Sequence, residues 1–179
     1  MTLPEILDKT LAHEGGWVNH PNDPGAETYK GISRKHHSDW IGWPEIDNDK
    51  NSEGVPDKDA LEANSYLQEM VRMFYTVEFW EPSQASGLPE GIQGEYFDMC
   101  VNFGRRGACR VLQSAANLYA TPGEEIEVDG YIGPNTIRAS QDTSIEALKA
   151  CRLRRYVDLI DDNRSLNAFI RGWYRRAIS

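Results

Sequence analysis

The sequence predicts a mainly α-helical fold with at most a small β-hairpin. Six or more segments carry apolar residues at the three- and four-residue spacing of an amphipathic helix. Several of them begin with a Thr or Asp that is followed three residues later by Glu, which is a helix start signal. Alternation typical of strands is confined to residues 17–33. These observations favour helices packed around a core over a sheet-based architecture.

The first predicted helix covers residues 3–14. Thr2 and Glu5 make a capping box, and apolar residues follow at helical spacing. Glu14 falls on the apolar stripe of this helix, and the two glycines after it end the helix. Asp23 follows in an Asn-Asp-Pro-Gly sequence, which is a strong turn signal.

The acidic segment 44–58 is predicted to be a solvated, turn-rich loop. Asp47, Asp49 and Asn51 have the spacing of the first ligands of a calcium loop. The glycine and the final glutamate that such a loop needs are missing, and the cysteines have no metal-ligand spacing. We therefore expect neither a metal site nor a cofactor.

Two lobes are predicted. Residues 59–80 read as one helix, and a loop rich in Ser, Gly and Pro follows it, so the lobe boundaries are drawn at 1–90 and 91–179. The second lobe opens with two amphipathic helices joined by a short turn at Gly104, which predicts a helical hairpin. We expect the two lobes to pack as one compact unit.

Composition excludes several classes of partner. The chain has 179 residues, 40% of them hydrophobic, and a net charge of -9. A nucleic-acid partner is not expected, because phosphate binding needs clustered Lys and Arg. No apolar run approaches the ~18 residues of a membrane span. Positive charge collects near the end of the chain, and we hypothesise that Arg171, Arg175 and Arg176 assist approach to anionic envelope surfaces.

Glu14 and Asp23 are the candidate catalytic pair. Apolar surroundings favour the neutral form of a carboxyl group, whereas a polar turn keeps a carboxylate ionised. Two carboxyl groups in such contrasting surroundings are the arrangement that glycoside hydrolysis uses. The alternative is structural: Glu14 is a surface charge at a helix end and Asp23 is a turn residue.

Residues 14–32 read Glu-Gly-Gly-Trp-x-Asn-x-Pro-x-Asp-Pro-Gly-x-x-Thr-x-x-Gly-Ile. This pattern resembles the signature of glycoside hydrolase family 108, the N-acetylmuramidases found as phage endolysins and as secretion-associated wall hydrolases. Three further segments resemble the same family: Phe-Asp-x-x-Val-Asn-x-Gly with Leu-Gln after it, Asp-Gly-x-Ile-Gly-Pro-x-Thr, and Phe-x-x-Gly-Trp-x-x-Arg. They lie at 97–113, 128–136 and 169–176. The segment at 128–136 is also similar to peptidoglycan-binding helical modules.

The resemblance implies a lysozyme-like fold and cleavage of the β-1,4 bond between N-acetylmuramic acid and N-acetylglucosamine in peptidoglycan. Glu14 would protonate the leaving oxygen, Asp23 would stabilise the oxocarbenium charge or activate water, and Thr28 would place that water. Substrate contacts are expected from four polar or aromatic residues. These residues are Trp17, Asn19, Tyr29 and Asn102. For Trp17 the alternative is packing in the core, and for Asn102 it is hydrogen bonding to the backbone at a helix end.

Two positions depart from the family pattern. Glu27 adds a third carboxylate close to Asp23, and Tyr29 stands where an amide is expected. Glu27 would support or disturb the titration of Asp23. We predict that Glu14→Gln abolishes activity with the fold intact and that Glu27→Gln costs much less activity.

Three rival functions remain at the sequence level. A lytic transglycosylase would use one glutamate alone and release anhydro-sugars. A wall-binding or secretion-helper protein would bind wall without cutting it, and a chitinase-like enzyme would cut a polymer that lacks the lactyl group. The expected protein is a monomer made in the cytoplasm without a signal peptide, acting on wall glycan in the wall or periplasm after another factor releases it, as an endolysin does.

Overall fold

The computed structural model describes residues 1–19 and 27–178 of the chain. They form two compact units, Thr2–Glu78 and Phe79–Ser179. The units divide within a π-helical turn, Thr76–Trp80, whereas the sequence prediction draws its lobe boundary at 90/91. Helices dominate both units, so the prediction of a mainly α, lysozyme-like fold is confirmed.

The first unit combines short helices with a small sheet. Its elements in chain order are α1 (Leu3–Leu11), β1 (Trp17–Asn19), β2 (Glu27–Tyr29), β3 (Ile32–Ser33), α2 (Trp43–Asp49), α3 (Lys58–Ala63) and α4 (Ser65–Tyr75).

The three strands form an antiparallel sheet in the order β1-β2-β3. Trp17 lies opposite Tyr29, and Tyr29 lies opposite Ile32, so these three residues share the buried face. The turn from β2 to β3 has two residues, Lys30 and Gly31, with φ angles of 43° and 77°. Positive φ at both central positions is the type I′ geometry that suits the right-handed twist of a hairpin. The observed sheet has one strand more than the predicted hairpin.

Three predicted boundaries in this unit are wrong. Helix α1 ends at Leu11 rather than at residue 14. Part of the predicted loop 44–58 is helix α2, which starts with a proline in its first turn and buries Trp43 and Ile46. The predicted helix 59–80 is broken at Asn64, whose extended backbone separates α3 from α4 and whose side chain caps α4 by accepting from the Leu67 N–H at 3.1 Å.

In its described residues the second unit has helices joined by turns and loops, and no strand. It contains α5 (Glu81–Ser83), a 3₁₀ turn (Ala85–Gly87), α6 (Glu90–Phe103), α7 (Arg105–Asn117), α8 (Pro134–Ala139), α9 (Ile145–Asp162), a 3₁₀ segment (Arg164–Phe169) and α10 (Ile170–Ile178). Helices α6 and α7 meet at Gly104, whose φ of 82° favours glycine, so the predicted hairpin is confirmed. No helix within 1–19 or 27–178 is both long and apolar enough to cross a membrane.

The core of the second unit lies between α6, α7 and α9. Tyr96, Met99 and Leu112 are fully buried in it. Cys100 and Cys109 are also buried, and burial raises the pKa of each thiol to about 12. These two cysteines therefore serve as apolar core residues.

An ion cluster is buried beside this core. Arg152 on α9 has no exposed surface and donates to Glu95 at 2.6 Å, to Asp98 at 2.7 Å and to Tyr156 Oη at 2.8 Å. Arg176 on α10 contacts the same Asp98 at 3.0 Å. Each buried charge thus has an opposite charge beside it, which is the condition under which charged groups are tolerated inside a protein.

Candidate active site

Glu14 stands one turn beyond the end of α1. Helix α1 is fixed by its buried apolar stripe, and the chain continues as tight turns in which the Glu14 N–H donates to the Leu11 carbonyl at 3.0 Å. Glu14 therefore lies in the turn that follows the helix, and its side chain is half-buried.

The Glu14 carboxylate lies against the β2–β3 turn. A methyl group built on Gly31 would lie 3.2 Å from Glu14 Oε2 and 2.6 Å from Tyr75 Oη. The bare Cα of Gly31 is therefore what leaves room for the carboxylate and the phenol together. Tyr75 Oη also donates to the Lys30 carbonyl at 2.8 Å, which ties α4 to the same turn.

Lys30 fixes the other side of this turn. Its ammonium group pairs with Glu62 Oε2 of α3 at 2.7 Å, and its side chain is only 15% exposed. The turn is thus held by α3 and α4, and it carries Gly31 at a fixed place beside Glu14. A rigid seat for one carboxyl group is what a positioned proton donor needs.

The other two predicted catalytic residues are Thr28 and Asp23. Thr28 lies in the middle of β2, half-buried, opposite Val18 of β1 and Ser33 of β3. It occupies the sheet face opposite to the buried one. Asp23 lies outside the described residues, in the segment that connects β1 to β2.

The two aromatic residues predicted to contact substrate are core residues in this structure. Tyr29 has no exposed surface; its hydroxyl accepts from Gln68 at 2.9 Å, and burial raises its pKa to about 12. Trp17 is 7% exposed, and its indole N–H donates to Glu27 at 2.7 Å. Tyr29 has no surface to offer a substrate, and Trp17 has little.

The two asparagines lie in different units. Asn19 ends β1 and is exposed. Asn102 lies on α6, where its side-chain amide donates to Tyr156 Oη at 2.9 Å. Asn102 thereby joins the ion cluster of Arg152 through the shared hydroxyl.

Glu27 is the centre of a charge cluster. The sequence indicates it only as a neighbour of Asp23. Its carboxylate is 7% exposed and accepts from Trp17, from Arg34 at 2.6 Å and from Lys50 at 2.8 Å. Burial alone would raise the pKa of Glu27, but the hydrogen bonds from Lys50, Trp17 and Arg34 outweigh it and hold the pKa below its usual value. Glu27 therefore ties β2 to neighbouring elements as a carboxylate.

The proposed calcium-like residues are engaged by protein donors. Asp47 pairs with Arg34 and Lys50, Asp49 accepts from the Asp57 N–H at 2.7 Å, and Asn51 accepts from backbone N–H groups of its own turn. In the described part of the chain, no group of three or more His, Cys, Asp or Glu side chains is arranged to hold a metal ion.

The sequence reasoning missed Arg152. The signal was present, because Arg152 lies four residues after Leu148 and four before Tyr156, on the apolar stripe of α9 where a charge is unexpected. A charge at such a position needs a buried partner of opposite sign. Glu95 and Asp98 supply it.

The 128–136 segment is held by one buried glutamine. Gln113 of α7 donates to Asp129 at 2.7 Å and accepts from the Gly130 N–H at 2.8 Å. Gly130 has a φ of 82°, and a methyl group there would lie 2.8 Å from the Arg106 carbonyl. Pro134 begins α8, a position that suits its fixed φ angle. The motif therefore has a structural role in closing this turn onto α7.

Two family models match the chain. The glycosyl hydrolase 108 model matches residues 7–104, and the model described as a predicted peptidoglycan domain matches residues 107–178. The chain belongs to the glycosyl hydrolase 108 family. Its fold is similar to the solved structure of Brucella abortus SagA, with a TM-score of 0.62 and 24% identity over 98% of this chain and 88% of that chain. No curated protein matches it.

Family membership fixes the broad class of the reaction. This glycosyl hydrolase 108 member is a glycoside hydrolase, and its two matched regions together make it a peptidoglycan hydrolase. The matched hydrolase region contains the Glu14 site and the whole sheet. The resemblance noted from the four sequence segments is confirmed.

Proposed function

We propose that this hydrolase is an N-acetylmuramidase that cleaves the β-1,4 bond between N-acetylmuramic acid and N-acetylglucosamine. The observation that carries the proposal is the seat of Glu14, a half-buried carboxyl group held at the end of α1 against the β2–β3 turn. A general acid must be held at a fixed place beside the bond whose oxygen it protonates, and this seat holds the carboxyl group in that way.

In the proposed reaction Glu14 gives its proton to the glycosidic oxygen as the bond from that oxygen to the muramic acid C1 breaks. Asp23 stabilises the positive charge that develops on the sugar ring or takes a proton from the attacking water. Thr28, on the open face of β2, orients that water. The water oxygen bonds to C1, so the products are two shorter glycans, one with a new reducing muramic acid end.

The proposed setting is the bacterial wall, where the substrate is located, in the manner of an endolysin that another factor brings to it. The support for this setting is the family resemblance of the sequence and the peptidoglycan domain. Glu27 is left out of the proposed chemistry, because its carboxylate is already engaged by Trp17, Arg34 and Lys50.

The test is digestion of purified peptidoglycan by the wild type, by Glu14→Gln and by Glu53→Gln. Glu53 lies in the exposed turn after α2, so its substitution removes the same charge away from the site. Products are reduced with borohydride and identified by mass spectrometry. We expect muramitol ends with the wild type and Glu53→Gln, and a loss of at least about a thousandfold in rate with Glu14→Gln.

The other outcomes point to the rival functions. Anhydro-muramic ends would identify a lytic transglycosylase, and full activity of Asp23→Asn would favour the same reading. Reduced glucosamine ends would identify cleavage of the other glycosidic bond. A folded wild type that sediments with peptidoglycan and releases nothing would be a binding protein, and the muramidase proposal would fail.

A further inference from the structure

The second unit carries a cluster of positive charge where α7 meets the middle of α9. Helix α7 has three arginines and no acidic residue, and the outer face of α9 adds Arg154 and Arg155. The whole chain has a net charge of -9. This local positive charge is opposite in sign to the net charge of the chain, so a specific role for these arginines is worth seeking.

An open cavity of about 200 Å³ lies where α7 and α9 meet. We call it the arginine groove; it is lined by Arg110, Val111, Ser114, Cys151, Arg154, Arg155 and Asp158. Asp158 accepts from Arg154 at 2.9 Å. Among the described residues, Arg110 and Arg155 make no ion pair, so three guanidinium groups face one carboxylate around this cavity.

Three guanidinium groups and one carboxylate leave an excess of positive charge around this cavity. Like charges that share a small cavity repel each other, and the repulsion is relieved when an anion enters. A guanidinium group binds a carboxylate through two parallel hydrogen bonds, and the Ser114 hydroxyl adds a further donor at the same wall. The arginine groove has the chemistry of a carboxylate-binding site.

The neighbouring turn extends this surface. The Cγ atoms of Arg106 and Arg110 both lie close to Gly130, at 2.8 and 3.1 Å from a methyl group built there. Arg106 covers the ring of Tyr131 at 4.6 Å, and that ring is 62% exposed. An exposed aromatic ring beside a cationic groove can stack on a polymer whose anionic groups the arginines hold.

We propose that the arginine groove binds the carboxylate groups of the peptide stems of peptidoglycan. This inference rests on peptidoglycan as the substrate and adds to it a second contact, away from the bond that is cut. The N-acetylated sugars are uncharged, and the lactyl carboxyl group of muramic acid is consumed in the amide bond to the stem. The peptide stems therefore carry the anionic groups of this polymer, and the groove selects for them.

The experiment measures sedimentation with insoluble peptidoglycan, using full-length Glu14→Gln as the background so that binding is read without cleavage. The test variant adds R110Q, R154Q and R155Q. The matched control adds K9Q, R138Q and R164Q, which removes the same charge from exposed sites outside the groove. We expect the test variant to bind at least about tenfold more weakly and the control to bind as the background does.

Three polymers identify the group that is bound. Intact peptidoglycan should bind, and peptidoglycan whose carboxylates have been converted to amides should bind at least about tenfold more weakly. Insoluble poly-N-acetylglucosamine, which has neither stems nor carboxylates, should bind no better than the amidated form. Thermal melts of both triple variants check folding. We expect the test variant to melt no lower than the background, because relief of repulsion favours the folded state.

Several results would overturn the proposal. These are equal binding of the test variant and the background, loss of binding in the control alone, full binding to amidated peptidoglycan or to poly-N-acetylglucosamine, and binding that disappears when phosphate polymers are stripped from the wall. Failure of the muramidase proposal would appear separately, as absence of muramitol ends, because sedimentation of Glu14→Gln does not depend on cleavage.

Discussion

At the scale of single residues, the position of Glu14 depends on Gly31 having no side chain. The Glu14 carboxylate and the Tyr75 hydroxyl occupy the volume where any other residue would place its Cβ. Gly31 also has a φ of 77°, which an L-residue adopts with strain. Two requirements therefore fall on one position, and they can be separated by experiment.

Gly31→Ala should destabilise the protein and reduce its activity. Gly54 is the matched control, because its φ is 75° and no atom lies within 4 Å of a methyl group built there. We expect Gly54→Ala to cost about 1 kcal/mol from backbone strain alone. Gly31→Ala should cost about 1–3 kcal/mol more from overpacking and lower the rate of peptidoglycan hydrolysis at least about tenfold, because Glu14 is displaced.

Urea unfolding and initial rates on purified peptidoglycan measure these two effects. Tyr75→Phe removes the hydroxyl that lies 2.6 Å from the new methyl group. In the double variant it should therefore recover part of the loss, which would appear as non-additivity in a double-mutant cycle. Equal losses for the two glycine variants would show that crowding at Gly31 plays no part.

At the scale of elements, helical periodicity predicts that α1, α6 and α7 exist, although it places the end of α1 three residues too late. It cannot locate the break at Asn64, because the apolar spacing continues across it. The acidic composition hides α2, which is held by two buried side chains. The candidate site is likewise only partly predictable. The sequence motif identifies Glu14, but its contact with Gly31 depends on the tertiary fold, which local sequence patterns do not encode.

The charge cluster of Glu27 joins β2 to α2 and should make stability depend on pH. The pKa of Glu27 is lowered from its usual value of 4.5, so its contribution is complete above about pH 4.5 and is lost as the pH falls through the lowered pKa. Glu27→Gln should cost on the order of 3 kcal/mol at pH 7, because Arg34 and Lys50 each lose a buried partner.

Urea unfolding at pH 7, 5 and 3 gives the measurement, with Glu53→Gln as the exposed control. The wild type should lose more stability between pH 5 and pH 3 than Glu27→Gln does. An identical pH dependence in the two proteins would mean that Glu27 is not held as a carboxylate. At pH 7 and a temperature where it stays folded, Glu27→Gln should keep far more activity than Glu14→Gln.

At the scale of the whole molecule, the family boundaries and the compact units do not coincide. The glycosyl hydrolase 108 match ends at residue 104, and so includes α6. In the structure α6 belongs to the unit Phe79–Ser179, where Tyr96 and Met99 pack with Leu112 of α7. The peptidoglycan domain as matched therefore lacks the helix that covers its core.

A fragment of residues 79–179 should fold, and a fragment of residues 107–179 should not. The shorter fragment exposes the apolar surface of α7 and α9 and leaves Arg152 without Glu95 and Asp98. Thermal unfolding followed by circular dichroism should be cooperative for the longer fragment alone. A cooperative transition in the shorter one would show that α6 is dispensable for this core.

The three cysteines give the second unit an internal set of chemical reporters. Cys100 and Cys109 are sealed in the core, so an alkylating reagent can reach them only when the unit opens, and their labelling rate measures that opening. Cys151 is half-buried in the wall of the arginine groove, where a bound polymer would shield it. One reagent and one mass spectrum would thus distinguish occupancy of the groove from unfolding, without an engineered cysteine.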